Sequence, residues 1–163
     1  MRPLAALAVL TLGLGLAPAS AQDVAFPGLR TDTSAQVEVT ADSLSVNQAA
    51  GTAVFTGNVL IVQGPMRLQA QTVEVEYGAA DRSKISKLHA SGGVTLVSES
   101  DAAEAKEAVY EVGAGAVELT GDVLLTQGQN VLSGQHMTID LKTGTGRMDG
   151  RVRSVLQPGA KTP

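Results

Sequence analysis

The sequence predicts an all-β protein, an elongated antiparallel β-jelly-roll with two facing sheets and about four stacked repeats. The apolar content comes from Val, Leu, Ile and Ala, and the chain has 18 Gly, two Tyr, two Phe and no Trp, which suits strands and turns. A Gly-x-Val motif recurs with its valines at positions 59, 94, 123 and 152, so that the second and third steps are equal and the first is slightly longer. A near-constant period of this size indicates one structural unit that is copied and stacked.

The segment 1–21 has the features of a secretory signal peptide. Arg2 supplies the positive start, a mainly apolar run covers positions 4–16, and Ala19-Ser20-Ala21 forms a small-x-small cleavage site. The run is shorter than the ~20 residues that a membrane-spanning helix needs. We therefore expect residues 1–21 to be removed on export.

The remaining chain divides into three parts. Residues 22–36 show no period and contain Pro27-Gly28, which predicts a flexible lead-in. Residues 37–156 form the repeat domain, and residues 157–163 form a disordered tail.

Each repeat opens with a small residue and a short alternating strand, at Ala41, Ala70, Ala105 and Gly134. Positions 73, 108 and 137 lie three residues after Ala70, Ala105 and Gly134, and each lies at the same distance from the motif valine before it. The additional length of the first step therefore falls in one loop, around residues 78–83.

Alternation with period two assigns one apolar and one polar face to these strands. Polar positions such as Glu74 and Thr120 lie on the outer face. If the two sheets separate, the apolar face becomes a groove for acyl chains; the alternative, a plain core, stays open for each position. The groove candidates are Phe55, Val59, Ile61, Leu68, Val73, Val75, Val94, Leu96, Leu119, Val123, Leu125, Met137 and Ile139.

Glycines at 57, 92, 121 and 150 fall in the apolar phase of their strands. Glycine inside a strand marks a bend or a close backbone approach. We therefore expect each long strand to bend there and to pass from one sheet to the other.

The segment 98–108 has two readings. Ser98, Ala-rich spacing and charged residues favour a short helix locally, with Ser98 as its cap. The repeat register instead predicts a strand from about Ala103, and we favour the register because tertiary context overrides propensity.

No catalytic, metal or cofactor site is predicted. His89 and His136 are the only histidines, both on the polar face, and there is no cysteine. The acidic run 99–111 lacks the spacing of a calcium loop. With 16 acidic and 12 basic residues, a net charge of −4 and few aromatics, the chain does not resemble a nucleic-acid binder. A hydrolase is a disfavoured alternative.

An open stack of strands leaves a free strand at each end, and such edges invite pairing with another chain. Because the repeat makes the first edge resemble the continuation of the last, head-to-tail addition of the same or a related domain is expected. The predicted edge residues are Val37, Val39, Leu44 and Val46 at the N-terminal edge, and Arg151, Val152, Arg153 and Val155 at the C-terminal edge.

The chain carries the motifs Ala41-Asp42-x-Leu44, Gly57-Asn58-Val59-x-Ile61-x-Gln63-Gly64 and Gly121-Asp122-Val123-x-Leu125. Together with their spacing, they resemble the OstA-like domain family of lipopolysaccharide-transport proteins, and the resemblance covers about residues 36–156. The second and third repeats depart from it at Gln71, Lys106 and Gly93. The cleavable signal and the absence of a barrel after the domain favour the soluble, LptA-like branch.

This resemblance implies a V-shaped β-jelly-roll in the periplasm that carries lipopolysaccharide along its interior. It implies an LptC-like inner-membrane protein at the N-terminal edge and an LptD-like outer-membrane protein at the C-terminal edge, with self-association as a further possibility. The alternative function is a structural β-repeat protein that assembles head to tail without carrying lipid.

Overall fold

The computed structural model describes residues 24–25 and 27–157, most of which lie in strands. A short 3-10 turn, Pro27–Leu29, precedes the main sheet. Among the described residues, no helix has the length and apolar character needed to cross a membrane. The strands are β1 (Val24–Ala25), β2 (Val37–Thr40), β3 (Ser43–Asn47), β4 (Thr52–Gln63), β5 (Met66–Tyr77), β6 (Ile85–Ser98), β7 (Asp101–Glu111), β8 (Ala116–Gln127), β9 (Asn130–Asp140), β10 (Thr145–Asp149) and β11 (Arg153–Val155).

These strands form one antiparallel sheet of 11 strands in the order β1-β10-β9-β8-β7-β6-β5-β4-β2. The short strands β3 and β11 pair with β4 and β9 respectively. From β4 to β10, neighbours in the chain are neighbours in the sheet, so the hairpins stack in sequence order. The predicted all-β antiparallel fold is confirmed.

A line of β-bulges crosses the middle of the sheet. On β4, Gly57 and Asn58 stand opposite a single residue of β5, and the same irregularity recurs on β6 and β8. A bulge of this kind bends its strand and increases the local twist. We call this the hinge line; its residues are Asp42, Gly57, Asn58, Gln71, Gly92, Gly93, Lys106, Gly121, Asp122, Gln135, Gly150 and Arg151.

The hinge line divides the sheet into two half-sheets. The first contains residues 37–40, 59–70, 94–105, 123–134 and 153–155, and the second contains residues 24–25, 43–56, 72–91, 107–120 and 136–149. Leu96 and Leu125 of the first and Leu119 and Ile139 of the second are all 0% exposed and belong to one apolar cluster. Because one layer of strands cannot exclude water from its own face, the two half-sheets must cover each other.

Residues 98–108 do not form the short helix that local propensity favours; the strand predicted from the repeat register is confirmed. Asp101–Glu111 is a strand, paired with β6 on one side and β8 on the other. The local helix propensity is overridden because Ala103, Ala108 and Tyr110 alternate into the core at 2% exposure or less.

The lead-in over residues 22–36, predicted to be flexible, is tied to the sheet in the part that the structure describes. Val24–Ala25 pairs with β10, and Leu29 is 1% exposed within the core cluster. A buried leucine fixes the segment even though its sequence has no period. The predicted signal peptide (1–21) and residues 158–163 of the predicted tail lie outside the described residues.

Candidate functional site

The predicted groove residues line the interior between the half-sheets. All of them except Phe55 are buried, and the most accessible of these is Leu68 at 4% exposure. Phe55 is partly buried and packs against the same cluster. The interior is therefore a continuous aliphatic layer from β4 to β10, filled by its own side chains. It can accept an acyl chain only if the half-sheets move apart.

The hinge line is built on glycines with a positive φ. Gly57, Gly92, Gly121 and Gly150 have φ of 81°, 83°, 85° and 80°. Each faces a side chain from the preceding strand: a Cβ on Gly92 would lie 2.7 Å from Gln71 Cβ, and one on Gly150 would lie 2.7 Å from Gln135 Cβ. Glycine is required because no other residue combines this φ with such a close approach.

Polar side chains run along the outside of the hinge line. Asn58 Nδ2 donates to Asp42 Oδ2 at 2.8 Å, and Lys106 Nζ lies 2.6 Å from Asp122 Oδ2. Gln135 Nε2 donates to the other oxygen of Asp122 at 3.3 Å. The hydrogen bond with Lys106, followed by the one with Gln135, lowers the pKa of Asp122, and the same contact raises the pKa of Lys106. Gln71 and Lys106, where the second and third repeats depart from the family motif, thus occupy the same structural position as Asp42 in the first repeat.

Opposite the hinge line, the free ends of the two half-sheets meet at what we call the mouth. The turns at 64–65, 99–100 and 128–129 end the first half-sheet, and those at 78–84, 112–115 and 141–144 end the second. Across the mouth, Tyr110 Oη donates to Gln63 Oε1 at 2.9 Å, and both residues are buried. Burial raises the pKa of Tyr110, with the Gln63 hydrogen bond acting in the opposite direction.

Residues 27–36, which we call the strap, cross the mouth. Thr31 contacts both half-sheets: its backbone N donates to Leu141 O at 2.9 Å, and its Oγ1 donates to Gln63 O at 3.4 Å. Gln63 Nε2 donates to the strap carbonyls of Thr33 and Ala35 at 3.1 and 2.9 Å. From the sequence motif alone, Gln63 is expected in a turn. It follows Val59 and Ile61 at the same two-residue spacing, however, and this alternation is the sequence signal that its side chain points inward.

The two sheet edges carry exposed apolar side chains. At the N-terminal edge, Val37 and Val39 are partly buried against the core, and Leu44 and Val46 are 55% and 59% exposed. At the C-terminal edge, Val152 and Val155 are 51% and 47% exposed, and Arg151 and Arg153 are also exposed. In the second half-sheet, β1 covers part of that edge through its pairing with β10.

The histidines lie on the outer face in two equivalent His–Glu pairs with the residue types exchanged, because His89 occupies the repeat position of Glu118 and His136 that of Glu107. His89 Nε2 is 3.3 Å from Glu107 Oε2, and His136 Nε2 is 2.7 Å from Glu118 Oε1. Within the described part of the chain, no three His, Cys, Asp or Glu side chains cluster in a way that could hold a metal ion.

Comparisons with known proteins agree with this architecture. Residues 38–145 match the model of a family described as "LptA/(LptD N-terminal domain) LPS transport protein". An uncharacterised protein of Rhizobium meliloti (strain 1021) is 31% identical over 171 aligned residues, covering 96% of this chain and 92% of that protein. The fold matches LptH of Pseudomonas aeruginosa, the LptA-homologous periplasmic component of its lipopolysaccharide transport device, with a TM-score of 0.71, 20% identity, 78% of this chain and 99% of that chain. The chain belongs to the LptA/(LptD N-terminal domain) family of lipopolysaccharide-transport proteins.

Proposed function

We propose that this chain is a periplasmic bridge that binds lipopolysaccharide through its acyl chains and passes it from the inner to the outer membrane. The observation that carries the proposal is the unbroken aliphatic interior that runs through every strand from β4 to β10. Burial of acyl chains needs such a surface, because each methylene removed from water contributes about 0.8 kcal/mol. The family is one of transport proteins, which agrees with the prediction that the chain is not an enzyme.

Edge-to-edge strand pairing supplies the connection between neighbours. The Gly-x pair of each long strand stands opposite one residue of the next strand: Gly57-Asn58 opposite Gln71, and Gly121-Asp122 opposite Gln135. Gly150-Arg151 is the last such pair, and Asp42 occupies the position of Gln71 on the first strand. Continuation of the sheet by an incoming N-terminal edge therefore brings an aspartate opposite Arg151.

This charge pairing supports head-to-tail contact with a second copy or a related domain. In the proposed bridge, an LptC-like protein contacts the N-terminal edge at Val37, Val39, Leu44 and Val46. An LptD-like protein contacts the C-terminal edge at Arg151, Val152, Arg153 and Val155. The exposed apolar side chains on both edges are the contact area that such pairing would bury.

A second candidate is a structural β-repeat protein that assembles without lipid. The complete burial of the interior favours it, because side chains such as Leu96, Leu119 and Ile139, all 0% exposed, already satisfy one another. The two candidates differ in whether the half-sheets separate to admit a ligand.

Photo-crosslinking separates the two candidates. A photoreactive amino acid at Val75 should capture purified lipopolysaccharide, and one at Glu74 should not, because neighbouring residues of a strand point to opposite faces. Phe55 is the best second position, since it is aromatic and only partly buried, and Thr120 on the outer face is its control. Ile61 and Ile139 extend the test to other strands.

Capture at the interior positions alone supports the bridge. Equal labelling of Val75 and Glu74 contradicts a defined groove. Concentration-dependent rods with no capture at any interior position support the structural protein instead.

A further inference from the structure

The strap holds the two half-sheets together at the mouth. Thr31 is 7% exposed and bonds to Leu141 of the second half-sheet and to Gln63 of the first. Gln63, at 0% exposure, directs its amide N–H groups to strap carbonyls and its Oε1 to Tyr110. Separation of the half-sheets at the mouth therefore requires the strap to leave.

Leu29 anchors the strap by filling an apolar position in the interior. Its side chain is 1% exposed and belongs to the same cluster as the groove residues. The flanking residues Pro27, Arg30 and Asp32 are exposed. Leu29 is the one large apolar side chain of the strap that enters the interior, and it contacts the interior in the way that the end of an acyl chain would.

The closed mouth also buries polar groups that are weakly satisfied. Gly28 packs on the carboxylate of Asp101, where a Cβ would lie 2.6 Å from Oδ2. Asp101 is 1% exposed, and the side-chain hydrogen bonds that its carboxylate receives from described residues are long, 3.3 Å from Ser100 Oγ and 3.4 Å from Gln127 Nε2. Ser98 Oγ, also buried, has no hydrogen-bond partner among the described residues. Release of the strap would hydrate these groups, which favours opening.

We propose that the strap is a displaceable cover on the entrance of the interior, and that an acyl chain takes the position of Leu29 when the strap leaves. This inference rests on the proposed lipid-carrying function and names the entrance for that function. A segment held by one buried apolar side chain, the buried Thr31 and a few hydrogen bonds opens more readily than the strands beneath it.

Displacement of the strap also affects the C-terminal edge. The strap continues from β1, which is only two residues long and covers β10 through Val24↔Gly146 and Ala25↔Thr145. An incoming edge strand would compete with β1 for β10. Docking of a neighbour at this edge and opening of the mouth are thus coupled through one segment.

A reversible tether tests the proposal in the full chain. A Cβ on Gly64 would lie 3.5 Å from Thr31 Oγ1, so the side chains at these two positions face each other in van der Waals contact. The double variant Thr31→Cys/Gly64→Cys places the only two cysteines in the protein. Capture of purified lipopolysaccharide by a photoreactive group at Val75 is measured for the oxidised and the reduced forms of this variant.

We expect the oxidised form to capture at least about tenfold less lipopolysaccharide than the reduced form of the same variant, because a locked closed state lowers the binding-competent fraction. Equal capture by both forms overturns the strap proposal and leaves the lipid-carrying function intact. Absence of capture even in the parent overturns the proposed function, and the strap proposal with it.

Leu29→Ala is the second variant, which keeps the proposal falsifiable if the disulfide does not form. Removal of the anchor should increase the open fraction and tighten apparent lipopolysaccharide binding about tenfold or more. Leu124→Ala is the matched control, because Leu124 is 36% exposed on the outer face. Unchanged binding in a folded Leu29→Ala protein, checked by circular dichroism, overturns the proposal.

Discussion

Gly92 and Gly93 allow the two reasons for glycine at the hinge line to be measured separately. They are adjacent, with φ of 83° and 90°. A Cβ on Gly92 would lie 2.7 Å from Gln71 Cβ, whereas a Cβ on Gly93 would meet nothing within 4 Å. Gly93→Ala therefore carries only the backbone cost, and Gly92→Ala carries the backbone cost and a steric overlap.

The backbone cost is about 1–2 kcal/mol, the usual cost of a left-handed conformation for a residue with a Cβ. The overlap at Gly92 involves Gln71 Cβ, which is attached directly to the neighbouring backbone and cannot rotate away. Overpacking of this kind costs about 1–3 kcal/mol more. We expect Gly93→Ala to lose about 1–2 kcal/mol and Gly92→Ala to lose about 2–5 kcal/mol of the free energy of unfolding.

Urea unfolding with circular dichroism measures both variants, and the comparison is valid if the slope with denaturant is unchanged. Gly93→Asn is a third variant, matched to Asn58 in the first repeat, where φ is 46°. It should cost less than Gly93→Ala because Asn tolerates the left-handed region. A Gly92→Ala protein as stable as Gly93→Ala would refute close strand approach as the reason for the repeated glycine.

The other predictions concern the edges, the hinge line and the mouth. Arg151→Glu should shift self-assembly in sedimentation experiments to higher concentration, and addition of Asp42→Lys to the same chain should restore it; failure of the restoration would contradict the proposed register. Lys106→Gln should raise the pKa of Asp122 toward 3.8, measured by NMR, because the hydrogen bond with Lys106 lowers it. The stabilisation from this pair is present above pH 3.8 and is lost as the pH falls through the lowered pKa; an unchanged Asp122 titration would contradict the contact. Tyr110→Phe should lower the free energy of unfolding by about 1–3 kcal/mol, because Gln63 Oε1 loses its donor. Since burial raises the pKa of Tyr110 above 10.0, its neutral phenol stabilises the fold below pH 10.0 and that contribution is lost as the pH rises through the raised pKa; equal alkaline sensitivity of the two proteins would argue against a buried phenol.

The repeat spacing predicted the strands because the fold reuses one hairpin geometry. Val59, Val94 and Val123 occupy equivalent interior positions at 2% exposure or less. The constant interval from each of these valines to the next repeat fixes which face each following strand buries. The same register overruled helix propensity at β7, where Ala103 and Ala108 fit the core although alanine favours helices.

The strap and the mouth were missed because they depend on contacts that do not repeat. Leu29 is a lone apolar residue beside Pro27-Gly28, and no period distinguishes it from a residue in a mobile segment. Gln63 and Ser98 carry a detectable signal, since both fall in the apolar phase at the end of a strand and are 0% and 1% exposed. A polar residue at an interior position needs a partner, and that requirement points to a covering segment without identifying it.

In the proposed head-to-tail assembly, the N-terminal segment would control the addition of copies. Each edge of the sheet would continue the other, so a bare chain would add copies without limit. Asp42 and Arg151 would favour that addition, whereas β1 covers β10 and would oppose it. Because β1 contributes only two paired residues, an incoming strand that places an aspartate opposite Arg151 could replace it. A strand without such an aspartate would gain no charge contact to compensate for the loss of β1. In this proposal the N-terminal segment would make edge pairing conditional on the right neighbour, and its displacement would also release the mouth through which lipid would enter.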